Sequence, residues 1–159
     1  MQKKQWQCRI APSLGDGFAG TPNEVWGTKD YTNQDDPTVF FGCYSLNDFN
    51  VIRNHKGEKA ILWAGSDIRY FIKGYWLDEK GKIRINPQPL AKWINKYCEN
   101  FVENKVEYEA LKKLGIKSKI VPSFLGNVDD YQPQTIDKED RYYSSVSGND
   151  FEVYGWDKI

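Results

Sequence analysis

Long apolar runs are missing from this 159-residue chain, and no stretch approaches the 18 residues a membrane-crossing helix needs. Its opening, MQKKQWQC, also lacks the apolar core of a secretory signal. Both absences lead to the expectation of a cytoplasmic protein with no transmembrane segment, peripheral membrane contact staying open. Cysteine is scarce as well. Cys8, Cys43 and Cys98 are odd in number and widely spaced, with no C-x-x-C pair, which argues against a disulfide framework and against a zinc site. There is one histidine, so Ser-His and Cys-His nucleophilic schemes would all depend on His55. His55 lies near the end of a predicted surface helix, where it reads as a charge partner for the helix end. Excess charge is absent too: 22 basic residues balance 22 acidic ones, without the basic stripe of a nucleic-acid surface.

What the chain has in quantity is rings. Phe, Trp and Tyr make up 15% of it, more than a core of this size requires, and some are expected to line a cleft. Short apolar segments, WQCRIA (6–11), TVFFGC (38–43), AILWA (60–64), Tyr97 with Cys98, and KIV (119–121), alternate with helical or polar stretches. TVFF and AILW are continuous, as strands covered on both faces must be, with a buried helical turn as the alternative over so few residues. FVENKVEYEALKKLG predicts a helix with Val102, Val106, Leu111 and Leu114 inward, Asn100 as cap, Glu103 three residues on, and Gly115 as stop. SLNDFNVIRNHKG predicts another, with Leu46, Phe49, Ile52 and Val51 inward and Gly57 as stop. The alternation implies a single Rossmann-like α/β domain over residues 1–125, an open, mostly parallel sheet with helices on both faces. Glycines and prolines between 74 and 89 predict a small β-hairpin insertion near 74–86 and then a short helix on PLAKWINKY. Polar residues 126–141 read as a linker, and residues 142–159 as an extra strand and the start of a second domain.

In such a sheet, ligands bind beyond the carboxyl ends of the strands. PSLGDGFAG (12–20), GCYS (42–45), AGSD (64–67) and CEN (98–100) are therefore the candidate turns. Gly15 and Gly17 would let backbone amides approach a ligand, although Asp16 opposes a pyrophosphate. Ser66 and Asp67 fit equally as helix caps or as cleft residues, and Glu99 is a carboxylate without an evident structural task. The set suits a polyhydroxylated ligand better than a metal.

The order of these motifs resembles the N-terminal half of GT-B glycosyltransferases. The features are Gly65-Ser66-Asp67 after AILWA, Cys98-Glu99-Asn100, the helix closing in Leu111 to Ile116, and Val121-Pro122, together spanning about residues 38–125. RYYSSVSGNDFEVYGWDKI looks like the opening of the second domain in such enzymes. The resemblance implies an acceptor-side domain that meets a C-terminal nucleotide-sugar-binding domain across a cleft. A saccharide or other hydroxyl acceptor would bind here, and the nucleotide sugar would be a co-substrate held by the other half. On this reading Asp67 is the catalytic candidate, and Gly15, Asp16, Gly17, Gly42, Tyr44, Gly65, Ser66 and Glu99 bind the acceptor. Many relatives carry a histidine before the Gly-Ser/Thr-Asp turn, where this chain has Ala64, so that role has no bearer. A stand-alone carbohydrate- or nucleotide-binding module is the alternative, and a flavodoxin-like or receiver domain is a third.

Overall fold

The computed structural model describes residues 4–15, 21–78 and 80–121, all within a compact unit spanning Met1–Asn127. The expected linker, the extra strand and the start of a second domain lie outside the described residues. The architecture is α/β, as the alternation of segments implied. Six parallel strands form one sheet: β1 (Gln7–Ile10), β2 (Lys29–Asp30), β3 (Thr38–Phe41), β4 (Lys59–Leu62), β7 (Glu99–Val102) and β8 (Lys119–Ile120). Their spatial order is β2-β1-β3-β4-β7-β8. Two further strands, β5 (Tyr75–Asp78) and β6 (Gly81–Arg84), pair antiparallel as a separate hairpin inside the predicted 74–86 insertion.

Alternation along the strands divides the apolar residues between two faces. Phe40, Ile61 and Val102 face the larger core, which is filled by Phe49 and Ile52 of α2 (Leu46–Asn54), Ile68 and Phe71 of α3 (Ser66–Ile72), Ala91 and Ile94 of α4 (Pro87–Tyr97), and Leu111 of α5 (Lys105–Lys113). Cys8, Phe41 and Leu62 face the other way, where Leu14 and Trp26 of α1 (Thr21–Trp26) pack. Helices therefore cover both faces. Right-handed crossovers account for the division, because connections running from β3 toward β8 must all pass over the same side.

The β2-to-β3 connection has no helix. Residues 31–37 cross beside the amino end of β1, and Gln7 holds them there. Its amide nitrogen donates to the Asn33 carbonyl at 2.8 Å and to Thr38 Oγ1 at 3.3 Å, while its oxygen accepts from the backbone amides of Thr32 (2.7 Å) and Asn33 (2.9 Å). One fully buried side chain thus replaces the hydrogen bonding a helix would have supplied internally.

Several local expectations need correction. The pattern N-x-x-E occurs twice, at Asn100/Glu103 and at Asn104/Glu107, and the helix uses the second. Asn104 accepts from the Glu107 amide at 3.0 Å, and α5 starts at Lys105. Phe101 and Val102 are taken by the sheet, where β7 lies between β4 and β8. Asn100 consequently sits in β7, accepting from Trp63 Nε1 at 3.2 Å, and Tyr97 ends α4 rather than forming a strand. Val106, placed inward by the earlier register, is 79% exposed, and Leu46 is exposed as well. α2 ends at Asn54 with His55 as C-cap, before Gly57.

His55 is not a surface charge partner. It is buried, its ring meets Phe40 edge-on with centroids 5.3 Å apart, and Tyr31 Oη lies 3.4 Å from Nδ1. Burial lowers its pKa, so the neutral imidazole acts as a core ring that ties residues 31–37 to the end of α2.

Gln7→Ala should cost about 1–3 kcal/mol, because the amides of Thr32 and Asn33 lose a buried acceptor. Urea unfolding checks this; an unchanged midpoint would mean that water or rearrangement replaces the side chain fully.

Candidate functional site

The chain reverses direction across the sheet between β1 and β3: from β1 it steps to β2 at one edge, then returns past β1 to β3. Switch points of this kind open a crevice beyond the carboxyl ends of the two strands. A crevice of about 500 Å³ lies there. Pro12 and Ser13 form one wall, Ser45, Leu46, Asn47 and Asp48 at the start of α2 form the floor, and Leu77, Asp78 and Lys80 of the hairpin close the other side.

The floor is built before any ligand arrives. Ser45 and Asp48 form a reciprocal capping box: Ser45 Oγ accepts from the Asp48 amide at 3.0 Å, and Asp48 Oδ2 accepts from the Ser45 amide at 3.1 Å. Asp48 also accepts from the Tyr44 amide at 3.2 Å, and its second oxygen accepts from Arg9 Nη1 at 2.9 Å. The Arg9–Asp48 pair is nearly enclosed, with side-chain exposures of 13% and 1%, so it locks β1 to the start of α2 rather than offering free charge. Leu77 N–H donates to the Tyr44 carbonyl at 2.9 Å, which hangs the hairpin on the same turn.

Asp67 lies one strand further along. Its carboxylate is completely buried and accepts three backbone amides: Cys43 at 2.9 Å, Ala64 at 3.1 Å and Ile68 at 2.7 Å. The side chain therefore joins the ends of β3 and β4 and the first turn of α3, and it presents no surface to solvent. Burial pushes its pKa up to about 7, against the opposing effect of the three amides.

Gly42 and Gly65 make the two turns around this carboxylate. Both have positive φ, 84° and 82°. A Cβ on Gly42 would lie 2.9 Å from the Tyr44 ring, and one on Gly65 would lie 2.9 Å from Glu107 Oε1. Above them Tyr44 Oη and Ser66 Oγ are 2.9 Å apart, with Ser66 half-buried.

The structure thus brings Gly42, Tyr44, Gly65 and Ser66 together at the carboxyl ends of β3 and β4, with Gly15 closing a 3₁₀ turn after β1. Asp16 and Gly17 lie outside the described residues. Glu99 is elsewhere: it is the first residue of β7, at the opposite end of the sheet, exposed and 3.2 Å from Lys119 Nζ. Its expected position depended on ending the strand at Cys98. Ser13, Asn47, Leu77 and Lys80 went unrecognised, and only the S-x-x-D spacing of Ser45 and Asp48 could have drawn attention to the floor.

A larger depression of about 1190 Å³ lies at the amino ends of the strands, lined by Trp6, Trp26, Pro37 and Val39 among others. Gln5 and Thr28 also line it, but Gln5 donates to the Gly27 carbonyl and Thr28 to Asn23 Oδ1, and it lies away from the switch point. Among the described residues no group of His, Cys, Asp and Glu could hold a metal ion, and no helix is long and apolar enough to cross a membrane. No family model matches the chain, and no curated protein or solved structure is significantly similar to it.

Asp67→Asn places an amide nitrogen where the carboxylate accepts a backbone N–H. Loss of about 1–3 kcal/mol is expected in urea unfolding. Because the folded-state pKa is raised above its ordinary carboxylate value, Asp67's contribution is complete below about pH 4 and is lost as pH rises through about 7. Wild-type stability should fall across that window relative to Asp67→Asn, and parallel pH profiles would show that Asp67 is ionised throughout.

Proposed function

We propose that this chain is the acceptor-binding half of a glycosyltransferase of the GT-B type, with the switch-point crevice as its acceptor site. The observation that carries the reading is the lining of that crevice: the hydroxyl of Ser13 and the amide of Asn47 stand beside the apolar Leu46 and Leu77, over a floor in which Ser45 Oγ is held by Asp48. Polar groups of both hydrogen-bonding senses beside apolar side chains suit the edges and faces of a sugar. The resemblance of the Gly65-Ser66-Asp67 turn to the family supports the same class.

In this reading Asp67 is a positioning residue. By fixing the ends of β3 and β4 it sets the turn of Tyr44, from which α2 and the hairpin are hung, and the paired hydroxyls of Tyr44 and Ser66 at the carboxyl edge of the sheet. The nucleotide sugar would be held by a C-terminal domain, and sugar transfer would need both reactants oriented across the cleft, so this chain alone should turn nothing over.

An NMR titration with an uncharged glucose hexamer tests it. The amides of Ser13, Ser45 and Asn47 should shift, and Asn47→Ala should weaken binding roughly three- to tenfold, as expected for loss of one or two hydrogen bonds. No shift at these amides would overturn the acceptor site. Shifts produced there by a nucleotide sugar alone would favour a nucleotide-binding module instead.

A further inference from the structure

The hairpin that closes the crevice has a composition unlike the rest of the chain. From Ile68 to Asn86 there are five basic residues, Arg69, Lys73, Lys80, Lys82 and Arg84, against two acids, in a protein with 22 of each overall. Lys92 and Lys96 follow before the next acid, Glu99. Arg69, Lys73, Lys80, Lys82 and Arg84 are all exposed, and none has an ion-pair partner among the described residues.

The hairpin register decides where these charges point. Tyr75 pairs with Arg84, Trp76 with Ile83, and Leu77 with Lys82. Directly opposed residues share a face, and neighbours along a strand alternate. Trp76 is completely buried against Phe49 and Phe71, which turns Ile83 inward with it. Tyr75, Leu77, Lys82 and Arg84 therefore share the outward face. Leu77 on that face lines the crevice, and Lys80 at the turn lines it too. The basic side of the hairpin is thus continuous with the crevice rim.

One of its charges is also held in place. Lys82 Nζ lies 4.8 Å from the centre of the Tyr75 ring, and Tyr75 is backed by Tyr70 at 5.1 Å, itself 6.1 Å from Tyr44. Asp78 is the opposing acid at the rim, and one of its oxygens accepts the Lys80 amide at 2.8 Å.

We infer that the outward face of the β5–β6 hairpin is an anion-recognising extension of the crevice, and that the acceptor is an acidic saccharide whose carboxylate or phosphate groups meet Lys80, Lys82 and Arg84. The inference rests on the acceptor reading and narrows it to a substrate class. A sugar chain seated in the crevice would leave it past Leu77, along the row of cations.

The test compares a galacturonic acid hexamer with an uncharged glucose hexamer by NMR titration at low and at near-physiological salt. The acidic hexamer should bind at least tenfold more tightly at low salt, and the margin should narrow as salt screens it. A variant carrying Lys82→Gln and Arg84→Gln, both outside the crevice lining, should lose most of the preference while still binding the uncharged hexamer. Lys105→Gln and Lys113→Gln on α5, an equal change of charge elsewhere, should keep it. Equal affinity for the two hexamers overturns this inference and leaves the acceptor site standing, whereas binding of neither overturns both. A preference that the α5 variant also abolishes reduces the effect to net charge. Binding to vesicles containing phosphatidylglycerol, with no preference between the hexamers, would assign the face to a lipid surface.

Discussion

A buried carboxylate holding three main-chain amides is the constraint on which the carboxyl edge of this sheet depends. Parallel strands end in unpaired N–H groups wherever the chain leaves the ladder, and here β3 and β4 end side by side, each through a residue that turns sharply. Asp67 takes up one amide from each exit and a third from the helix that follows. Gly42 and Gly65 allow the close approach. Without that shared acceptor, the turns carrying Tyr44 and Ser66 would have no common reference, and the hairpin hung from Tyr44 would lose its anchor point. The Ser45–Asp48 box and Arg9 perform the same service between β1 and α2.

Much of the fold was legible because burial on both faces leaves a coarse signal. TVFF and AILW suggest strands by being continuously apolar, a buried helical turn being the alternative for so short a run, and both lie at the centre of the sheet. The hairpin was legible through its glycines and prolines. The start of α5 was not, because two identical capping spacings stand four residues apart and only the pairing of β7 with its neighbours chooses between them. The two-residue strands β2 and β8 are held by position more than by composition, and β2 left no apolar run to read.

The candidate site was legible by place rather than by residue. The switch-point rule locates the crevice, but its lining comes from three separate parts of the chain that only the tertiary structure brings together. Asp67 and His55 show why residue type alone misleads. Each has chemistry suited to catalysis, and each is enclosed by protein: the first by backbone amides, the second by Phe40 and Tyr31. Desolvation acts on both in the direction of neutrality, raising the acid and lowering the base.

The hairpin enters between α3 and α4 and pairs with no strand of the main sheet; it is fastened through the Leu77–Tyr44 main-chain bond and the buried ring of Trp76. A main-chain bond makes no demand on side-chain identity, and Trp76 and Ile83 occupy only the inward positions. The outward positions can therefore drift without disturbing the ladder or the Asp67 clamp. That separation makes the hairpin an evolvable cassette: one wall of the crevice can be rewritten for a different ligand while the scaffold that positions it stays the same.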